Sequence, residues 1–300
     1  MIIECQIPSW ISEVLDWETI KSFGNSAFTT SLLGALAGAY FGSTSAQKVA
    51  ERSRRKNEFV KEIRNVNAAI ALAFAIVNGV LALKKQNVAP MKADYEAECD
   101  KHKIWLEKRR TGQIQGNAPF SLKADFRTTP SISQPIEVLK NVVFSQLSNT
   151  GRILNLVASL DGAIQSLNTA ISQRNELIEL FKAEKLPPTA NLPAMYLSLP
   201  YGDGHVNQQY ADLVKGIASY ADDSIFMSHL LCLDLVEYGK EVSDEYVKTL
   251  GGSPLKVTQV DFEKATESGQ MPNREQYSTW FTAFQKQPKK ESRKWWRGAA

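Results

Sequence analysis

A mainly α-helical protein is predicted, with an N-terminal transmembrane helix followed by a long-helix antiparallel bundle. Three features predict it: an uncharged apolar stretch from Ala27 to Thr44, a basic flank directly after it, and apolar residues recurring at alternating spacings of four and three from Ile153 onward. A helix rises about 1.5 Å per residue, so the first stretch just covers the roughly 30 Å hydrocarbon layer of a bilayer. Alternating spacing keeps one helix face apolar along its length, and another long helix is needed to cover that face.

Composition bounds the rest. The 300 residues are 43% hydrophobic and 22% charged, enough apolar material for one sizeable core or two smaller ones. The 35 basic residues nearly balance 32 acidic ones, unlike the positive excess of a dedicated nucleic-acid binder, so nucleic acid is not an expected partner. Cys5, Cys99 and Cys232 are odd in number and far apart, which argues against a disulfide framework and fits a reducing compartment for the main domain.

Residues 1–26 carry Glu4, Glu13, Asp16 and Glu18 against Lys21, unlike the basic start of a cleaved signal peptide, so no cleavage is expected. Trp10, Ile11, Val14, Trp17 and Ile20 follow Pro8 and Ser9 at helical spacing. They read either as an amphipathic helix in the extracytoplasmic interface or as a small helix packed on protein. After the apolar stretch come Lys48, Arg52, Arg54, Arg55, Lys56, Lys61 and Arg64; short basic flanks stay in the cytoplasm, which places the N-terminus outside. Gly34, Gly38 and Gly42 share one face of the 27–44 helix. They read either as a surface for self-association or as small residues of the kind common in membrane helices.

A second apolar run, VNAAIALAFAIVNGVLAL from Val66 to Leu83, has Arg64 before it and Lys84, Lys85 and Lys92 after it. Bases on both sides weigh against a second span. Asn67, Ala71, Ala75 and Asn78 share a face, a small-and-polar seam that suits a buried bundle helix; the alternative is that this run spans too.

The remaining chain from residue 45 to 250 reads as a cytoplasmic helical bundle. Its first helix is interrupted near Pro90, and a charged helix covers Lys92 to Arg110. Residues 111–135 form a loop with three prolines, and the helix from Ile136 to Ala183 carries the seam Ile153, Val157, Leu160, Ile164, Leu167, Ile171, Ile178 and Phe181. A proline-rich connector covers 186–204. The next helix, Val206 to Leu250, presents Tyr210, Leu213, Ile217, Tyr220, Leu231, Leu235, Tyr238 and Val242 until Gly251 and Gly252 stop it. A small C-terminal unit, 251–285, shows Tyr277, Trp280, Phe281 and Phe284 as an aromatic face expected to dock on the bundle, and 286–300 is a basic tail.

Few residues suggest chemistry. Cys99 with His102 and His229 with Cys232 sit three apart on two predicted helices; facing one another, they would supply the four ligands of a closed, structural zinc site. The plain alternative is a buried pair among apolar residues and an exposed pair among charges. No nucleophile elbow, phosphate loop or zinc-protease helix occurs, so no catalytic residue or organic cofactor is assigned. Asp222 and Asp223 are a pair of the kind that binds a cation or serves acid and base roles, but their helical position reads as solvated surface. Lys289, Lys290, Arg293, Lys294 and Arg297 surround Trp295 and Trp296, a combination suited to an anionic membrane surface or acidic partner, to nucleic acid with the indoles as stacking surfaces, or simply to a solvated tail.

The stretches SLLGALAGAYFGSTSAQKVAERSRR and NVNAAIALAFAIVNGVLALKKQ resemble those of uncharacterised bacterial single-span membrane proteins with long cytoplasmic helices. The resemblance covers about the first third of the chain and implies the bacterial inner membrane as its location. The expectation is therefore a membrane-anchored scaffold or sensor-like subunit acting through self-association or a protein partner, with membrane lipid as a further partner. The alternatives are a membrane-perturbing effector of a stress or antiphage response, which would insert Val66 to Leu83, and an enzyme without a recognisable motif.

Overall fold

The structure, a computed structural model, describes residues 27–114, 118–148 and 151–279. Among these it is mainly helical, with no strand beyond one isolated bridge between Tyr201 and His205. Helix α1 covers Ala27–Leu83, a π-turn Lys84–Val88, α2 Ala89–Arg110, α3 Ile136–Gln146, α4 Arg152–Lys182, α5 Leu192–Leu197, α6 Gln209–Leu250 and α7 Glu263–Glu267. A 3₁₀ turn follows at Arg274–Tyr277. Contacts divide the chain into two units, Met1–Phe59 and Val60–Ala300, with the division inside α1.

The core of the second unit follows the apolar periodicity. Every member of the α4 seam is buried, and it meets buried faces of α6 (Tyr210, Val214, Ile217, Ala221, Ile225, Leu231, Leu235) and α1 (Val66, Ile70, Ala73, Val77, Val80). Two contacts set the direction of α4 against α6. Near the start of α4, Arg152 Nε donates to Asp234 Oδ2 at 2.6 Å, while further along, Arg174 donates to the Tyr210 hydroxyl at 3.2 Å. Later residues of α4 thus meet earlier residues of α6, so the two helices run in opposite directions.

Several boundaries have local causes. The expected interruption near Pro90 is a π-turn: Pro90 has no N–H, and its ring would clash with the carbonyl of Gln86 in a regular helix. The chain widens instead, the Ala89 N–H donating to the Lys84 carbonyl five residues back. The single helix expected from Ile136 to Ala183 is two, α3 and α4, and Gly151 before α4 has φ of 80°, a conformation outside the helical range. Within the 186–204 connector, Asn191 caps a short helix by accepting from the Ala194 N–H at 2.9 Å, with Pro193 in the first turn.

One helix near the N-terminus is long and apolar enough to cross a membrane, and the apolar window that meets this test is half-buried. The described side chains from Ser31 to Ser43 are exposed, so that window lies on Val66–Leu83, where nine of eighteen residues are buried. The second apolar run is thus a core helix of the Val60–Ala300 unit. Its small-and-polar face is turned outward: Ala71, Ala75 and Asn78 are exposed and only Asn67 finds protein partners there.

Candidate functional site

Within the first unit, the described part of α1 is exposed over most of its length. Along α1, Leu32, Leu36, Tyr40 and Phe41 are 48%, 59%, 67% and 67% exposed. Leu32, Leu36 and Tyr40 lie within about 80° of one another on one face, and Phe41 lies about 100° beyond Tyr40, because a residue advances about 100° per position. Together they cover about half of the circumference, and the remaining positions of the 27–44 stretch are small or uncharged, so no face of it carries the charges that mark the solvent side of a soluble amphipathic helix. Gly34, Gly38 and Gly42 line one face, and a Cβ added at any of them meets nothing within 4 Å, so that face is open to close approach by another helix. Beyond Thr44, Lys48, Arg52, Arg54, Arg55 and Lys56 are all exposed.

The second unit carries its polar chemistry inside, where a segment without regular structure is bound to α4. Asn175 accepts from the Thr129 N–H at 3.0 Å and donates to the Thr129 carbonyl at 2.8 Å. One heptad earlier, Asn168 repeats the exchange with Ile132 at 2.9 and 3.0 Å. Each side-chain amide replaces one rung of a β-ladder, so the segment keeps its backbone satisfied without a neighbouring strand. Asn67 does the same on α1, donating to the Lys256 carbonyl at 3.0 Å and accepting from the Thr258 N–H at 2.8 Å.

Arg174 stands between Ile171 and Ile178 in the apolar seam and is fully buried. It donates to the Arg127 carbonyl at 3.0 Å and lies 3.6 Å from Asp125. The guanidinium also faces the Tyr210 ring at 5.6 Å. Tyr196, Tyr210 and Tyr95 pack with tilted rings around this centre, with ring centroids 4.4 Å apart for the first pair and 5.9 Å for Tyr95 and Tyr210. The Asp125 carboxyl is held below its usual range, against an upward push from burial, by hydrogen bonds and charge from Arg127 and by Arg174. The Tyr196 phenol, buried beside Tyr210, is pushed far above its ordinary value and stays neutral. This network fastens the segment before α3, and the short helix α5, to α4 and α6. Sequence reading passed over Arg174; the available signal was a charge at a seam position with apolar residues on either side.

The four candidate zinc ligands do not come together, and among the described residues no group of three or more histidine, cysteine or acidic side chains is placed to hold a metal. Cys99 lies one turn beyond Tyr95, which packs on Tyr210; Cys232 is 22 residues further along α6, roughly 33 Å at helical rise. His102 packs against Phe120 and Trp105, with centroids 4.9 and 5.7 Å away, and His229 against Phe262 at 4.5 Å. Burial lowers the pKa of both imidazoles, with the Arg274 charge adding to the effect at His229. Cys232 is fully buried; its thiol faces the Ile70 carbonyl at 4.0 Å and is pushed up to about 12 by burial. It behaves as a small core residue, not as a thiolate ligand.

Asp222 and Asp223 are not simply solvated. Lys84 pairs with Asp222 at 2.6 Å and donates to the Gln270 carbonyl at 2.8 Å, while Asp223 accepts from the Tyr277 hydroxyl at 2.9 Å. The Tyr277 ring lies 3.8 Å from that of Phe226 and nearly parallel to it, so the aromatic face docks at this residue; Trp280, Phe281 and Phe284 lie outside the described residues. So do the 1–26 segment and the tail residues Lys289, Lys290, Arg293, Lys294, Trp295, Trp296 and Arg297. An open groove of about 680 Å³ between α4 and α6 is lined by Gln165, Thr169, Gln173, Asp212, Gly216 and Tyr220, mostly neutral polar groups. No family model, curated protein or solved structure matches the chain.

Proposed function

We propose that the chain is a membrane-anchored helical scaffold or sensor-like subunit. Its 27–44 segment crosses the bacterial inner membrane with the N-terminus outside, and its 60–279 portion is a cytoplasmic antiparallel bundle that acts through self-association or a protein partner. The observation that carries this reading is the exposure of Leu32, Leu36, Tyr40 and Phe41, over about half the circumference of a helix stretch with no charge on any face, a surface that lipid covers better than water. Three further features support it. The basic flank after Thr44 sets the orientation, the open Gly34, Gly38 and Gly42 face suits helix pairing, and Val66–Leu83 is already occupied in a protein core. The membrane-perturbing alternative needs that last segment to leave the core, exposing nine buried residues, and the described structure gives it no support.

The test is alkaline extraction of membranes from cells making the full chain and its Leu36→Lys variant. A lysine at the centre of a span is disfavoured by about 3–4 kcal/mol relative to leucine on an insertion scale, so the variant moves to the soluble fraction while the parent stays in the pellet. A parent chain released by alkali overturns the anchor.

A further inference from the structure

Two glycines stand inside long helices without a packing reason. Glycine is less favourable than alanine in a helix interior, and at Gly239 of α6 close packing accounts for it, since a Cβ there would lie 2.8 Å from Val257. At Gly162 of α4 a Cβ meets nothing within 4 Å, and at Gly216 of α6 it meets only the Tyr220 ring, at an ordinary 3.5 Å. Both glycines line the groove of about 680 Å³ between α4 and α6. Their lost helix stability keeps that groove open, and at Gly216 it leaves one side of the Tyr220 ring bare.

The lining of the groove specifies a chemistry. No lysine, arginine or histidine lines it, so nothing there offsets the charge of an anion. Asp212 is its single carboxylate, too little for a divalent cation, which gathers several anionic or carbonyl oxygens. The remaining polar groups are amides and hydroxyls. Gln173 both donates and accepts through its amide. Gln165 already donates to Asp161 at 3.1 Å and Thr169 to the Gln165 backbone carbonyl at 2.9 Å, which leaves both side chains an oxygen that accepts. A sugar hydroxyl donates and accepts on one atom, and the C–H face of a sugar ring carries the slight positive charge that the electron-rich face of a tyrosine attracts.

We propose that the α4–α6 groove binds a neutral sugar, with Gln165, Thr169, Gln173 and Asp212 holding its hydroxyls and Tyr220 stacked on one ring. The two helices are antiparallel with Arg174 level with Tyr210, so the groove runs from Gly162 and Tyr220 at one end to Gln173 and Asp212 at the other. From residue 162 to 173 that is about 16 Å at helical rise, longer than one hexose ring, so the ligand has two or more rings. The volume is that of a small-molecule site. This site does not depend on how the chain is held at the membrane.

The experiment is saturation-transfer NMR on the full chain, in phospholipid nanodiscs or, if alkali releases it from membranes, in buffer, titrated with maltose, cellobiose, lactose and N,N′-diacetylchitobiose. At least one of the four is expected to bind with a dissociation constant on the order of 1 mM or below. Gly162→Leu fills the groove where a Cβ has room, so it should melt no lower than the parent and weaken that binding on the order of tenfold. Gln173→Ala, at an exposed position, should weaken it too. No binding by any of the four below about 10 mM, or binding that both variants leave unchanged, overturns the site. Glucose 6-phosphate or tetraglycine binding as tightly as the best sugar overturns its assignment to neutral sugars.

Discussion

Asn175 and Thr129 exchange both hydrogen bonds of a β-ladder rung, one through a side-chain amide and the other through backbone, at 3.0 and 2.8 Å. That relationship explains how a segment without helix or strand, 118–135, holds a defined path across α4. Asn175→Ala removes both bonds and leaves the N–H and carbonyl of the buried Thr129 to be re-solvated. The expected loss is about 1–3 kcal/mol in urea unfolding, with hydrogen exchange quickened at 127–133 and unchanged in α6.

Arg174 is a charge within the apolar seam, held by Asp125, the Arg127 carbonyl and the Tyr210 hydroxyl, while its buried Nε has no hydrogen-bond partner. Arg174→Met fills similar volume but strips Asp125 of one of its two cationic neighbours. A loss of about 3 kcal/mol is expected, seen as a lowered urea midpoint with the slope unchanged. An unchanged midpoint would mean that the charge is dispensable to the packing around it.

Two glycines separate close approach from simple propensity. A Cβ on Gly239 would lie 2.8 Å from Val257 Cγ1 and 3.0 Å from Val66 Cγ1, branched side chains with little freedom to yield, whereas one on Gly162 meets nothing within 4 Å. Alanine gains about 1 kcal/mol over glycine inside a helix, and overpacking costs about 1–3 kcal/mol. Gly162→Ala should therefore raise the melting temperature, and Gly239→Ala lower it.

His102 and His229 are held below the ordinary imidazole pKa, chiefly by burial. As pH falls below about 6.5 the unfolded chain takes up protons that the folded chain refuses, so this stability is present above that pH and is lost on the way down to the folded pKa values. The urea midpoint should be lower at pH 5 than at pH 7.5, and His229→Phe should flatten the dependence. Glu98 and Asp125, also lowered, act in a separate window below about pH 4, because a carboxylate favoured by folding is lost only when acid protonates it.

The helices were legible where one apolar face repeats without interruption. The α4 seam could be read in full because each position is apolar except Arg174, and α6 ends at Gly251 as its sequence indicates. On α6 itself the face turned out rotated. Val214, Ala221 and Ile225 are buried, while Tyr220 is exposed, since a helix covered on two sides buries more than one stripe. The binding of 118–135 and 255–258 was hidden for another reason: asparagines acting on distant backbone leave no periodic trace in either segment. The zinc arrangement failed because spacing within a helix fixes a shared face but says nothing of which point on another helix faces it.

The central claim, one span with the bundle inside, is tested most directly by thiol labelling in intact cells. The chain with Thr169→Cys carries a thiol at an exposed position of α4, alongside the native Cys5. A membrane-impermeant reagent should label Cys5 at once and the new thiol only after permeabilisation. Labelling of the Thr169→Cys thiol in intact cells would contradict the account, because it requires the main domain to lie outside, as a second span through Val66–Leu83 would place it.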